Sequence, residues 1–148
     1  MNTAQNVTIL LVEDKPGHAR LVEKNLRRAN INNPIVTVGD GGQAMAYVFR
    51  EGPYSDVPMP ENLLVLLDLN LPVMDGYQVL RRMKENEATR RIPVIILTTT
   101  DDPREIHRCY DLGCNVYLTK PVDYEDFSEA IRKLGLFLSV VAIPEDGT

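Results

Sequence analysis

The chain is poor in the residues that staple a fold, hold zinc or grip nucleic acid. Its two cysteines, Cys109 and Cys114, are too few for a disulfide framework. They are expected as reduced thiols of a cytoplasmic protein, with Cys109 a small core residue on a helix. Histidine occurs only at positions 18 and 107 and no CxxC pair exists, so no zinc site is expected. Basic residues number 16 against 21 acidic ones, a net charge of −5. A nucleic-acid surface needs clustered Lys and Arg instead, so no nucleic-acid partner is expected. No apolar run approaches the length of a membrane span, and no basic N-terminus leads into an apolar stretch, so neither a membrane anchor nor a signal peptide is expected. Internal repeats and low-complexity segments are absent. What is present is 148 residues, 44% hydrophobic and 25% charged, an ordinary composition for one globular domain. A domain of this size buries roughly 70% of its unfolded surface without staples.

The order of the chain is alternation. "VTILLV" at 7–12 is a β-branched apolar run, and a stretch at about 17–29 follows with Ala19, Val22, Leu26 and Ala29 at helical spacing. Strands are expected again at 34–38, 63–68, 93–98 and 116–119. Helices are expected at 43–50, 77–84 and 104–111, the last closed by Gly113. Asp123 reads as the N-cap of a final helix to about Leu138. Alternating strands and helices predict βα units, a parallel sheet and helices on both faces. Five of each suit a flavodoxin-like doubly wound α/β domain, whose ligands bind at the carboxyl ends of the strands.

The residues just past those strand ends carry the chemistry. Glu13 and Asp14 follow the first strand, Asp68 ends the third in "LLDLNLPVMDG", Thr98 ends the fourth, and Lys120 follows the fifth. If those strands are neighbours, the side chains converge. Three carboxylates repel by about 4 kcal/mol per close pair at an effective dielectric near 20. Lys120 offsets one charge, and a divalent cation would bring the remainder to zero. Hard oxygen donors of this kind suit magnesium with one or two carboxylates and a phosphate oxygen. A carboxylate can form an aspartyl phosphate, so Asp68 is the candidate nucleophile, with Lys120 and the Thr98 hydroxyl steadying the phosphoryl oxygens. Asp68 alone could merely cap a turn, and Glu13 with Asp14 could merely start a helix. The convergence is what favours the site.

With "LLVEDKP", "LLDLNLPVMDG", "VIILTTT" and "VYLTKP" in order at strand ends, the chain resembles the receiver domains of two-component signalling, the response-regulator family. The resemblance runs from about Val7 to Leu138. It implies a five-stranded sheet of order 2-1-3-4-5, Asp68 as phosphoacceptor, and magnesium held by Glu13, Asp14, Asp68 and the backbone carbonyl of Asn70. It further implies Thr98 and Tyr117 as switch residues, a phosphate-contacting Lys120, and a cis peptide bond between Lys120 and Pro121. Glu13 stands where many members have Asp; its longer side chain can still hold a magnesium-bound water.

The long link "EGPYSDVPMPENLL" and the C-terminal "LGLFLSVVAIPEDGT" are similar to small single-domain receivers that partner phytochrome-type histidine kinases. The resemblance therefore implies one domain over 1–148, core about 7–138 and extension 139–148, with a sensor histidine kinase as partner and no output domain. It is expected to be a signalling protein rather than an enzyme. A phosphohydrolase would want a second acid near the nucleophile, where Asn70 stands. A scaffold that is never phosphorylated would not need the intact acid pair, Thr98 and Lys120. His18 and His107 read as exposed helix residues, His18 near the pocket but not placed to accept a phosphate. Phe127, Ala130, Ile131, Leu134 and Leu138 form a helical stripe, and Leu136, Phe137, Val140, Val141 and Ile143 add apolar groups that one stripe cannot bury. That excess predicts a homodimer through the C-terminal face.

Overall fold

A computed structural model describes residues 7–133. The strands are β1 (Val7–Val12), β2 (Ile35–Val38), β3 (Asn62–Asp68), β4 (Val94–Thr98) and β5 (Val116–Thr119). The helices are α1 (Pro16–Arg28), α2 (Gly41–Phe49), α3 (Gly76–Glu85), α4 (Pro103–Asp111) and α5 (Tyr124–Lys133). All strand pairings are parallel, and the order across the sheet is β2-β1-β3-β4-β5. This is the flavodoxin-like architecture that the alternation predicts.

The central strands are almost wholly apolar because both faces of the sheet are covered. Ile9, Leu11, Leu64, Leu66, Ile95 and Leu97 meet Ala19, Val22 and Leu26 of α1 and Phe127 and Ala130 of α5. Their neighbours Leu10, Val12, Val65, Leu67 and Ile96 face the other way, toward α2, α3 and α4. Registers level the carboxyl ends: Val12 pairs with both Val38 and Leu67, Asp68 with Leu97, and Thr98 with Thr119.

Aspartates start most of the helices. Asp40 accepts from the Gln43 N–H at 2.7 Å, Asp75 and Gln78 form a reciprocal capping box, and Asp102 accepts from the Arg104 N–H at 2.9 Å. Asp123 accepts from the Asp126 N–H at 2.9 Å, the cap expected for α5. Asp40 explains why α2 opens two residues earlier than its apolar periodicity suggests: Gly41 and Gly42 carry no periodic signal, but the cap recruits them. At the far end of α4, Gly113 (φ +104°) allows paired bonds from the Gly113 and Cys114 N–H groups to the Tyr110 and Cys109 carbonyls. That closure sets Cys109 against Cys114, the usual apolar contact of this helix ending. Burial pushes the two thiols up to about 11 and about 12.

The link before β3 is built rather than loose. Arg50 ends α2 in a left-handed conformation (φ 54°), and a short 3-10 turn follows at Gly52–Tyr54. The Arg50 guanidinium lies 4.3 Å over the Tyr47 ring and 5.8 Å from that of Tyr54. Of the apolar C-terminal stripe, Phe127 and Ala130 are buried against the sheet. Leu134 and everything beyond it lie outside the described residues.

Candidate functional site

The site is built where β1, β3, β4 and β5 end. Glu13 is the first residue past β1, and its own N–H bonds the Val38 carbonyl, which continues the sheet by one step. Its Oε2 accepts the Lys15 N–H at 3.2 Å, so the same carboxylate also steadies the entry to α1, where Lys15 offers no side-chain cap. Asp68 is the last residue of β3. Its Oδ1 accepts the Asn70 N–H at 2.9 Å, which folds the chain sharply around the carboxylate. Gly76 makes that fold possible: a Cβ there would lie 2.4 Å from the Asp68 carbonyl oxygen and 2.6 Å from the Leu69 Cα. Only a glycine lets the first turn of α3 close over the backbone of Asp68.

Carboxylate oxygens of Glu13, Asp14 and Asp68 lie within 4.8 Å of one another. Glu13 and Asp68 are buried, and the Lys120 side chain beside them is only 10% exposed. The Lys120 ammonium bridges Glu13 Oε1 and Asp68 Oδ2, the latter at 2.9 Å. It is therefore no solvated surface lysine. Burial alone would lower the Lys120 pKa, but its bonds to Glu13 and Asp68 outweigh that and hold it above the ordinary lysine value. Glu13 is held above the ordinary carboxylate value, first by burial and then by the charge of Asp68, against the opposing pull of Lys120.

Two buried polar atoms here have no protein partner, Asp14 Oδ1 and Thr98 Oγ1. Buried polar atoms are nearly always satisfied, so an orphan at a cleft points to a ligand. Asp14 Oδ1 belongs to the acidic cluster, so a hard divalent cation fits its donor set. Thr98 is fully buried at the end of β4, one residue beyond Leu97, which is level with Asp68. Its backbone carbonyl accepts the Lys120 N–H at 2.7 Å, and the peptide bond after Lys120 is cis. Tyr117 lies on β5 with its hydroxyl donating to the Thr100 carbonyl at 2.8 Å. Burial, and then the nearby thiols, push its pKa up to about 12.

The family model of the response regulator receiver domain matches residues 9–132. The chain belongs to that family. Receivers similar to it include Rcp1 of Synechocystis sp., 39% identical over 92% of each chain. A Mn(2+)-bound form of Rcp1 superposes with a TM-score of 0.73 at 38% identity, covering 93% of this chain and 98% of that one. The receiver domain from Rhodospirillum rubrum is 59% identical, with a TM-score of 0.73 and coverage of 93% and 97%. The bacteriophytochrome response regulator RtBRR gives a TM-score of 0.83 at 36% identity, covering 93% of this receiver and 82% of its own chain. The phytochrome-associated likeness read from the link and the C-terminus agrees with these neighbours.

The receiver fold thus brings Glu13, Asp14, Asp68 and Lys120 into one cluster, with Asn70 tied to Asp68 and Thr98 buried at the adjoining strand end. Tyr117 stands apart, bonded to the loop after β4. Sequence reasoning missed one residue of this neighbourhood and one contact. Gly76 was visible only as the last letter of "MDG". His18 lies near the pocket, as expected of it, but its ring is only partly exposed and its Nδ1 lies 3.2 Å from the Lys120 ammonium, a contact the sequence did not announce. A position four residues after Asp14, one helical turn on, was the available signal.

Proposed function

We propose that this receiver accepts a phosphoryl group on Asp68 from a partner histidine kinase, possession of magnesium being required, and thereby switches its α4–β5–α5 face. The observation that carries the reading is the cluster itself: three carboxylates within 4.8 Å, one bridging lysine and an orphaned buried oxygen on Asp14. Glu13, Asp14, Asp68 and the Asn70 carbonyl would hold the ion. Magnesium, when bound, supplies the positive charge that cancels the carboxylate repulsion and the charge on the incoming phosphoryl oxygens.

The chain's own groups do the rest. As a bond forms from an Asp68 oxygen to phosphorus, the P–N bond of the donor phosphohistidine breaks, and its nitrogen keeps the electron pair. Lys120 turns an N–H from Asp68 to a phosphoryl oxygen. Thr98 gains there the partner its hydroxyl lacks within the protein. The Asn70 N–H keeps the Asp68 carboxyl oriented. Movement of Thr98 makes room for Tyr117 to leave the Thr100 carbonyl and turn inward, which repacks the face around β5. A charge-changing modification acts in this way, by biasing an element with two arrangements.

The finer assignments are part of the same proposal. The chain is one cytoplasmic receiver domain over 1–148, with core about 7–138 and extension 139–148. It is a signalling protein without a substrate of its own, and its kinase is of the phytochrome type. It dimerises through the apolar C-terminal face and takes no nucleic acid. Among the described residues, no helix is long and apolar enough to cross a membrane. The test is incubation with acetyl phosphate. Intact mass should rise by one phosphoryl group with magnesium and stay unchanged with a chelator. Equal labelling in both would overturn the proposal.

A further inference from the structure

We propose that His18 is a positioning residue for Lys120, the third acceptor of its ammonium, fixing the reach of that side chain toward Asp68. The inference rests on the reading of Asp68 as phosphoryl acceptor for its functional half, and on geometry alone for its structural half. An ammonium has three N–H donors and nothing that accepts. Two of the three are taken by Glu13 Oε1 and Asp68 Oδ2. His18 Nδ1 stands 3.2 Å away for the third. Because Lys120 can only donate, a hydrogen bond here requires Nδ1 to present its lone pair.

The surroundings make that bond matter. His18 and Lys120 line a groove of about 210 Å³ together with Leu21, Val22, Thr99, Pro121 and Val122. Apart from the Thr99 hydroxyl, which makes no hydrogen bond to Lys120, that lining is apolar. On this wall the imidazole, with Nδ1 also 3.9 Å from Glu13 Oε1, is the group within hydrogen-bond distance of the ammonium. A lysine is a point charge on a flexible stem, and its position is set by its partners. When a phosphoryl group reaches Asp68, the ammonium must turn one donor from a carboxylate to a phosphoryl oxygen. The bond to His18 lies outside that exchange and gives the turn a fixed pivot. Preserved orientation of this kind lowers the barrier without touching the reacting atoms.

Two variants test the proposal. His18→Leu removes the acceptor at similar bulk, and His18→Gln restores one as a side-chain carbonyl. The first readout depends on the contact alone: acylation of Lys120 in the metal-free protein by an amine-reactive ester, followed by peptide mass mapping. Labelling of Lys120 should speed up about fivefold in His18→Leu, the equivalent of one hydrogen bond of about 1 kcal/mol, and return toward wild type in His18→Gln. The second readout is the rate of phosphorylation by acetyl phosphate at saturating magnesium. The maximal rate should fall about fivefold in His18→Leu, at an unchanged half-saturating acetyl phosphate concentration, and recover in His18→Gln. Equal Lys120 labelling in wild type and His18→Leu overturns the proposal, and so does a rate loss that His18→Gln does not rescue. A wild-type protein that is never phosphorylated on Asp68 removes the functional reading instead, and the Lys120 labelling still decides the positioning role.

Discussion

Glu13→Gln should stabilise the metal-free protein at neutral pH, against the common experience that substituting a buried residue destabilises. Two charges within 4.8 Å of one another repel by at least about 3.5 kcal/mol at an effective dielectric near 20. Glu13 meets this repulsion from Asp68 and a screened share of it from the partly exposed Asp14, and burial adds the cost of lost hydration. The Lys120 ammonium returns about 5 kcal/mol at hydrogen-bond distance on the same scale. With burial added to the two repulsions the costs outweigh that return, the direction in which the Glu13 pKa is also held. Glutamine keeps an oxygen for Lys120 and loses the repulsion. Because the folded-state pKa of Glu13 is raised, its contribution to stability is full below the ordinary Glu value of 4.5 and is lost as pH rises through the folded pKa. The advantage of Glu13→Gln is therefore present at pH 7 and fades as pH falls toward 4.5. Urea unfolding followed by far-UV circular dichroism, in a chelator at both pH values, measures it. Saturating magnesium should reverse the order, since a cation bound at a hundred times its Kd adds about 2.7 kcal/mol to the protein that binds it. A Glu13→Gln protein less stable than wild type at pH 7 without metal would refute the reasoning and make Glu13 a structural residue.

Three further outcomes follow from particular residues. Val73 is a β-branched residue at φ 70° with 83% of its surface exposed, so Val73→Asn should relieve left-handed strain at little packing cost and stabilise by about 1 kcal/mol in the same urea assay. Gly76→Ala should do the opposite, costing about 2–3 kcal/mol and slowing phosphorylation by acetyl phosphate, because its Cβ would press on the Asp68 carbonyl. Static light scattering at tens of micromolar should give a dimer for the full chain and a shift toward monomer for a chain ending at Ser139.

The fold was legible because both faces of the sheet are covered. The runs around Leu10, Leu66 and Ile96 then have no polar alternation to confuse them with surface strands. The site was legible because the topology brings strand ends together, so Glu13, Asp14, Asp68 and Lys120 could be read as neighbours from order alone. What escaped depends on distance in space rather than pattern. Gly76 matters through a backbone-to-backbone approach that no periodicity encodes. His18 could be placed near the pocket, but not its contact with Lys120, 102 positions away. Val73 reads as one more apolar residue until its backbone angle is known. The turn at Gly52–Tyr54 depends on Arg50 lying over two tyrosine rings, which composition alone does not announce.

The central claim is that Asp68 is the phosphoryl acceptor of a metal-dependent site. It is tested most directly by locating the phosphoryl group after treatment with acetyl phosphate and magnesium. Borohydride reduction converts an aspartyl phosphate to homoserine, and peptide mass mapping then reads its position. Wild type should carry homoserine at position 68, only when magnesium is present, and Asp68→Asn should carry none anywhere. Homoserine at another aspartate, or equal labelling of the Asp68→Asn protein, would contradict the account.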